Sequence, residues 1–183
     1  APVAAALTKQ ASRQAAELKA RGVQPVLAIV RVGERPEDLS YERGACRRCE
    51  TAGIEIKRIT LPGSAGQEEL LAVLERINQD RNIHGCLLFR PLPRQMDEGA
   101  VCAALSPEKD VDGITPGSLA GVFAGNGAGF PPCTAQACIE LLRHYNYPLS
   151  GKRAVVVGRS LVVGRPVSML LLHQNATVTL CHT

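Results

Sequence analysis

Aromatic side chains are scarce in this sequence: tryptophan is absent, and Phe, Tyr and Trp together make up 3% of the 183 residues. Proteins that bind single-stranded nucleic acid commonly stack the bases on aromatic side chains, so this scarcity argues against such a platform. The sequence also lacks the basic clusters of nucleic-acid-binding domains. Its net charge of +4 is spread along the chain, which suits anionic small molecules better than a DNA groove.

Long apolar runs are missing as well. No stretch approaches the roughly 20 apolar residues of a membrane-spanning helix. The first twenty residues follow an amphipathic pattern of Ala, Lys, Arg and Glu, which differs from a secretory signal. We therefore expect no membrane partner. The length fits one domain or two small ones, and a content of 45% hydrophobic and 21% charged residues is typical of globular domains.

The seven cysteines are an odd number and lie mostly in apolar or helical stretches, a pattern typical of reduced thiols in a cytoplasmic protein. Cys46 and Cys49 form a C-x-x-C motif. Zinc would need two further ligands at suitable spacing, which the sequence does not offer. A redox pair should open a helix after a strand, whereas this pair lies inside a predicted helix. We therefore interpret these cysteines as structural and predict no metal site.

Hydrophobic periodicity predicts alternating helices and strands in the first three quarters of the chain. The predicted helices span residues 2–21, 40–52, 67–81, 96–105 and 134–144, and the predicted strands span 26–32, 54–61 and 85–89. This alternation predicts a parallel sheet with helices on both faces. Residues 33–38 are predicted as a loop, and Thr134 as a helix N-cap. The Gly- and Pro-rich segment 106–132 is predicted as a long irregular connection.

Residues 153–183 predict the first half of a dinucleotide-binding fold, in which backbone N–H groups at a glycine turn and a helix N-terminus hold a phosphate. The pattern predicts a strand over 154–157, a break at Gly158, a cap at Ser160, a helix over 163–173 and a strand over 177–181. The spacing Gly158-x-Ser160-x-x-x-Gly164-x-Pro166 departs from G-x-G-x-x-G. From these residues alone, nucleotide binding and an ordinary strand–turn–helix are equally open.

Two α/β units are therefore expected, residues 1–132 and residues 133–183, with a ligand cleft between them. Ligands in such sheets bind beyond the carboxyl ends of the strands. In this sequence those ends are followed by residues 33–41, 89–93 and 158–160.

Several short motifs then occur in a characteristic order: Tyr41, Gly53, Gly85-x-Leu-Leu-x-x-Pro-Leu-Pro93, Pro107-Glu-Lys-Asp-Val-Asp-Gly113, Pro132-Cys-Thr134 and Gly158-Arg-Ser-x-x-Val-Gly-x-Pro166. Their order and spacing resemble the methylenetetrahydrofolate dehydrogenase/methenyltetrahydrofolate cyclohydrolase family throughout the chain. The resemblance implies an α/β fold with an N-terminal parallel-sheet folate domain and the first part of a Rossmann-like dinucleotide-binding domain.

The resemblance also implies the chemistry. Members oxidise 5,10-methylenetetrahydrofolate to 5,10-methenyltetrahydrofolate with a nicotinamide cofactor, and bifunctional members hydrolyse the product to 10-formyltetrahydrofolate. It further implies tetrahydrofolate derivatives as ligands and a cytoplasmic homodimer, with a role in one-carbon metabolism and purine biosynthesis.

Site residues carry over by motif. The resemblance implies Tyr41 and Asp112 as catalytic residues, with four positions contacting the folate: Tyr41, Pro91, Leu92 and Asp112. It implies six positions that bind the cofactor: Gly158, Arg159, Ser160, Gly164, Pro166 and Thr183. A carboxylate suits the pterin because it can accept a pair of N–H donors. From the residues alone, Asp110 and Asp112 can instead cap turns around Gly113, and Tyr41 can simply pack at a helix start. We expect Asp110 to be structural.

Two positions depart from the bifunctional pattern. The resemblance places a lysine four residues after the tyrosine and a glutamine before Pro-Leu-Pro, but this sequence has Ala45 and Phe89 there. Neither side chain can donate or accept a proton. Lys57 lies on another predicted element, while Arg43 and Arg90 stay protonated and make poor proton shuttles.

Our hypothesis is that the dehydrogenase activity is kept and that the cyclohydrolase activity is weak or absent. The alternative is a catalytically degenerate homologue that binds folate or nucleotide and has a structural or assembly role.

The end of the second predicted Rossmann strand bears on the cofactor. NAD-specific folds usually place Asp or Glu there, but this chain reads Leu180-Cys181-His182-Thr183. Together with Arg159 this favours NADP, with NAD possible; Arg159 can instead serve the pyrophosphate or a surface salt bridge. Since the chain stops after this strand, we expect it to be part of a longer protein, without which the nicotinamide half of the site is absent.

Overall fold

A computed structural model describes residues 2–182, and the chain forms two compact units that divide between Leu105 and Ser106. The elements of the first unit are α1 (Pro2–Ala20), β1 (Val26–Val32), α2 (Pro36–Ala52), β2 (Glu55–Leu61), α3 (Gln67–Gln79), β3 (Gly85–Leu88) and α4 (Glu98–Ala104). Those of the second are α5 (Pro116–Ala124), α6 (Cys133–His144), β4 (Arg153–Val157), α7 (Gly164–His173) and β5 (Thr177–Cys181). Segment 106–132 therefore packs with the second unit. The functional domains expected from the sequence, residues 1–132 and 133–183, stay a prediction.

The sheet of the first unit is parallel, as predicted, with the strand order β2-β1-β3. Val26 of β1 pairs with Glu55 of β2, and Leu27 pairs with Gly85 of β3. Because β1 is central, its residues Ala28 to Val30 are almost fully buried. α1 packs on α2, and α3 packs on α4. The α/β fold class is confirmed.

α2 begins at Pro36, so the predicted loop over 33–38 and helix start at residue 40 were wrong. Proline is tolerated in the first turn of a helix, where its missing N–H would have no intrahelical acceptor. Asp38 in the same turn accepts hydrogen bonds from Arg35 Nε at 2.7 Å and Nη2 at 3.0 Å. This ion pair fixes the chain where it leaves β1 and enters α2.

α5 corrects the prediction that 106–132 is irregular throughout. Thr115 caps this helix by accepting from Ser118 N at 3.0 Å, and Gly125 ends it at φ 65°. Glycines inside the helix hid it from sequence reasoning, because glycine disfavours helices. One of them is required by packing: a Cβ on Gly121 would lie 1.9 Å from Ala128 O.

In the second unit β4 and β5 pair in parallel, and Arg153 lies opposite Thr177. One face of this pair packs against a core of α6 and α7 made by Ala135, Ile139, Val167 and Leu171. α6 begins at Cys133, so the predicted N-cap at Thr134 was wrong; Pro132 precedes the helix and makes no side-chain cap. None of the helices within residues 2–182 is long and apolar enough to cross a membrane.

Candidate functional site

One face of α2 forms an open groove in the first unit. Six residues line this α2 groove of about 770 Å³: Glu37, Ser40, Tyr41, Gly44, Ala45 and Arg48. Their spacing of three and four residues places them on one face of the helix. Tyr41 is 62% exposed, and position 45 lies one turn further along the same face. The structure therefore brings the predicted substrate contact and the first departure from the bifunctional pattern into one surface.

The second departure lies directly beside them. The rings of Phe89 and Tyr41 meet edge to face, with centroids 5.4 Å apart and an interplanar angle of 65°. Phe89 is buried together with Ile29 and Cys46, and Ala45 packs against this cluster. Both replaced positions thus belong to one apolar cluster next to Tyr41.

Two cations that could replace the missing lysine, Lys57 and Arg90, form ion pairs elsewhere. Lys57 lies on β2 and pairs with Asp80 at 3.3 Å. Arg90 Nη1 pairs with Glu98 Oε1 at 3.2 Å, while Glu98 Oε2 accepts from Leu92 N at 2.9 Å. Glu98 therefore holds the turn that carries the predicted substrate contacts Pro91 and Leu92, a turn that begins with a cis Arg90–Pro91 peptide.

α2 is fixed to the sheet by a charged network that sequence reasoning missed. Arg31 of β1 is 7% exposed, and its Nε lies 2.9 Å from Glu42 Oε2. Arg31 Nη1 also donates to Gly33 O, and Arg58 Nε of β2 lies 3.4 Å from Glu42 Oε1. Because Glu42 follows Tyr41, these contacts set the position of Tyr41 on the sheet. An arginine within the apolar run of β1 was the available signal.

In the second unit, Asp110 has a role in the fold, which confirms the prediction. It is fully buried, and its two carboxylate oxygens accept from Ile114 N at 3.0 Å and from Thr115 N at 2.7 Å. Gly113 completes the turn at φ 64°, where a Cβ would lie 2.4 Å from Pro132 N. The turn that carries Asp112 therefore packs closely on the segment that leads into α6.

Asp112 lies beside Cys133, the first residue of that helix. Burial of the sulfur raises the pKa of Cys133 to about 12, and the charge and hydrogen bonding of Asp112 contribute to the rise. Cys133 Sγ also donates to Val111 O at 3.2 Å. A thiol with this pKa is protonated at neutral pH and is a poor nucleophile. The structure thus joins two of the sequence motifs in one place, with Asp112 half-buried.

A second groove lies at the carboxyl end of β4. This β4–α7 groove of about 780 Å³ is lined by twelve residues, among them Gly158, Arg159, Ser160, Gly164 and His182. Ser160 Oγ accepts from Val163 N at 3.1 Å and from Gly164 N at 3.4 Å. These bonds hold the turn that leads into α7, whose N-cap position is Val163 and not the predicted Ser160. The Ser160 hydroxyl proton stays available to a ligand. A Cβ on Gly164 would lie 1.9 Å from Gly158 O, so this turn requires glycine there.

Two other predicted cofactor residues, Arg159 and Pro166, differ in their exposure to the groove. Arg159 is exposed in the groove and forms no ion pair with any carboxylate of residues 2–182, so the surface salt bridge considered for it is not made. Pro166 is buried in the first turn of α7 and is not among the groove-lining residues. Its predicted cofactor contact stays a prediction, and in the first turn of α7 the missing N–H of proline costs no hydrogen bond.

Thr183 lies outside the described residues. His182 directly follows β5 and lines the groove, although sequence reasoning assigned it no role. Its position after the second strand was the signal, because ribose-binding residues occur there in dinucleotide folds. Among residues 2–182, no three His, Cys, Asp or Glu side chains lie close enough together to hold a metal ion.

Comparison with known proteins adds the family. The tetrahydrofolate dehydrogenase/cyclohydrolase catalytic domain matches residues 1–112, and the NAD(P)-binding domain of the same family matches residues 132–183. The bifunctional protein FolD of Clostridioides difficile is 48% identical over 182 residues, which is 100% of this chain and 63% of that protein.

Solved structures agree with this match. The bifunctional enzyme FolD, a methylenetetrahydrofolate dehydrogenase/cyclohydrolase from Campylobacter jejuni, has a TM-score of 0.95 and 34% identity, and the match covers 99% of this chain and 64% of that one. The Trypanosoma brucei enzyme complexed with NADP and an inhibitor has a TM-score of 0.90 and 33% identity, covering 99% and 62%. The chain thus spans a little under two thirds of the length of these relatives, and it belongs to the tetrahydrofolate dehydrogenase/cyclohydrolase family.

Proposed function

We propose that the protein oxidises 5,10-methylenetetrahydrofolate to 5,10-methenyltetrahydrofolate with NADP, and that its cyclohydrolase activity is weak or absent. Family membership supports a folate ligand and a nicotinamide cofactor. The β4–α7 groove has the turn expected to bind the cofactor, whereas the α2 groove has apolar residues where hydrolysis needs polar ones. This difference supports an active dehydrogenase with little cyclohydrolase activity. By the same resemblance the protein acts as a cytoplasmic homodimer in one-carbon metabolism that supplies purine biosynthesis.

The oxidation step requires little acid–base catalysis by side chains of this protein. Loss of hydride from the methylene carbon leaves an amidinium-like cation, and a bound nicotinamide supplies the hydride acceptor. The chain has to hold two rings against each other, which is a task of positioning. Tyr41, Pro91, Leu92 and Asp112 are the proposed folate contacts. Gly158, Ser160 and Gly164 form a turn that fits a pyrophosphate, because the backbone comes close and the Ser160 hydroxyl can donate.

Hydrolysis asks for more. Water must add to the methenyl carbon, and protons must move to and from it, which a positioned side chain accelerates about 10²- to 10⁴-fold. The single observation that carries the proposal is the apolar cluster beside Tyr41, in which Ala45 packs against Phe89, Ile29 and Cys46. Neither Ala45 nor Phe89 can donate or accept a proton, so the two positions that hold a lysine and a glutamine in the bifunctional pattern offer no group for proton transfer.

The test uses the purified protein in two assays. With methylenetetrahydrofolate and NADP, we expect NADPH to form. With methenyltetrahydrofolate, we expect decay at the spontaneous rate. The double variant Ala45→Lys/Phe89→Gln should hydrolyse faster than wild type, while each single variant serves as the matched control and should gain less. Wild-type hydrolysis well above the spontaneous rate would contradict the proposal.

The cofactor preference is a separate proposal. Arg159 is exposed in the β4–α7 groove with no carboxylate paired to it in residues 2–182, and β5 ends without Asp or Glu. We therefore propose that Arg159 binds the 2′-phosphate of NADP. Turnover at low cofactor concentration should favour NADP over NAD, and Arg159→Ala should remove most of that preference. Equal turnover with both cofactors in the wild type would refute it.

A binding protein without turnover is the second candidate, and the same pair Ala45 and Phe89 favours it. Calorimetry that shows both folate and NADP binding, together with no NADPH formation from methylenetetrahydrofolate, would establish this candidate in place of the first.

A further inference from the structure

The α2 groove has a basic end that neither oxidation nor hydrolysis requires. Along its length Glu37 lies at one end, Tyr41 near the middle and Arg48 at the other end. Tyr41 and Arg48 are seven residues apart on the helix, which corresponds to about 10 Å along its axis. An aminobenzoyl-glutamyl unit can span such a distance.

The floor of the groove between these two side chains is open. Gly44 has no side chain, and an added Cβ would meet nothing within 4 Å. Ala45 contributes only a methyl group. The groove therefore exists because two small residues separate Tyr41 from Arg48, and a flat ring or an extended chain can lie over them.

Arg48 makes few polar contacts with the rest of the chain. Its Nη1 lies 3.5 Å from Thr8 Oγ1 of α1, at the long limit of a hydrogen bond, and within residues 2–182 it pairs with no carboxylate. Arg47 next to it is also exposed and forms no such pair in the described residues. By contrast Arg35, at the start of the same helix, is paired with Asp38. The far end of α2 thus offers two cations to an anionic ligand.

We propose that Arg48 binds a carboxylate of the glutamyl tail of the folate, and that Arg47 binds a further carboxylate when the tail is a polyglutamate. This inference rests on the proposed folate function. The Tyr41 ring contacts the aminobenzoyl ring by aromatic packing, and the guanidinium of Arg48 forms a charge-assisted pair with the carboxylate beyond it. The site would then distinguish folates by the length of their tail.

Calorimetry with the mono- and triglutamate forms of 5-formyltetrahydrofolate tests this. The wild type should bind the triglutamate about fivefold more tightly or better, the gain of an exposed ion pair worth about 1 kcal/mol. Arg48→Ala should weaken the binding of both forms about fivefold, and Arg48→Lys should keep part of that affinity. Arg47→Ala should leave the affinity for the monoglutamate unchanged and abolish most of the ratio. Arg43→Ala is the matched control, since Arg43 is exposed on the same helix but does not line the groove. Higher salt should reduce the wild-type ratio.

The outcomes separate two failures. If the wild type binds neither form, the folate function is wrong and this inference fails with it. If it binds both forms and Arg48→Ala leaves both affinities unchanged, the folate function stands and the role of Arg48 is refuted. A loss of affinity for both forms with Arg48→Ala, and a fall in the ratio with Arg47→Ala, neither of which Arg43→Ala reproduces, support the inference.

Discussion

The α2 groove and the β4–α7 groove differ in what they have kept. The β4–α7 groove retains the Gly-Arg-Ser turn, and the backbone contact between Gly158 and Gly164 leaves no room for another residue at 164. The α2 groove retains Tyr41 but has apolar side chains at the two positions where the bifunctional pattern has a lysine and a glutamine. A turn fixed by backbone sterics thus stands beside two apolar side chains that, on our proposal, do not support hydrolysis.

The difference follows from the cost of each change. At Gly164 any side chain collides with main-chain atoms, and main chain cannot move aside cheaply. At positions 45 and 89 both partners are apolar, so no buried donor or acceptor is left without a partner. Replacing both members of a polar pair in this way can be nearly neutral for stability, whereas replacing one leaves the other unsatisfied. Stability therefore does not protect the hydrolytic residues.

The largest effect is expected from placing alanine in each groove in turn. Gly164→Ala should lower the free energy of unfolding by about 1–3 kcal/mol, because the turn must shift, and it should weaken NADP binding at least tenfold. Gly44→Ala should raise the free energy of unfolding by up to about 1 kcal/mol, because alanine favours a helix and a Cβ at position 44 would meet no other atom within 4 Å. Urea unfolding and calorimetry measure both variants.

Since both variants replace glycine with alanine, each controls for the other. Equal shifts of the urea midpoint in the two variants, or full NADP affinity in Gly164→Ala, would show that the contact with Gly158 is not the constraint claimed for the β4–α7 groove.

The next effect separates the two aspartates of the second unit. Asp110→Asn should lower the free energy of unfolding by about 1–3 kcal/mol, because an amide offers only one acceptor oxygen and leaves Ile114 N or Thr115 N unsatisfied. Asp112→Asn should change stability by less than about 0.5 kcal/mol, yet weaken folate binding about tenfold or more, because a charge-assisted pair is lost. Thermal unfolding and folate calorimetry distinguish them, and a large loss of stability in Asp112→Asn would assign it to the fold.

Sequence reasoning reached the architecture because the strands are strongly apolar. β1 was predicted over its observed residues, Val26–Val32, and the parallel order followed from the alternation of elements. α5 was missed because its two glycines are dictated by neighbours, the Ala128 carbonyl at Gly121 and the Pro107 ring at Gly117, which no local pattern contains. The start of α2 was missed because Pro36 reads as a loop residue when it is in fact the first residue of the helix.

Sequence motifs predicted the site residues that act within one local segment. They could not predict ion pairs and hydrogen bonds between residues of different helices and strands. The hydrogen bonds of Ser160 before α7 are local and could be predicted, although the N-cap position is Val163. The pairing of Arg31 with Glu42, and the hold of Glu98 on Leu92, depend on how elements pack and carry no spacing that reveals them. Pro166, a residue of the motif, lies buried in the first turn of α7, and its predicted cofactor contact stays a prediction.

The smallest effect concerns the neighbour of Asp112. With a pKa of about 12, the thiolate fraction of Cys133 at pH 8 is about one in ten thousand, so alkylation of the folded protein should be slow although the residue is exposed. Its rate should rise about tenfold per pH unit while the pH stays below the pKa. Asp112→Asn removes a negative charge that disfavours the thiolate, which lowers the pKa and should speed alkylation a few-fold; burial, the larger cause, remains. Peptide mass spectrometry of iodoacetamide-treated protein measures alkylation at Cys133, and urea-unfolded protein gives the fast reference rate. An unchanged rate in Asp112→Asn would place the carboxylate of Asp112 away from the sulfur. It would also weaken the assignment of Asp112 to the folate site.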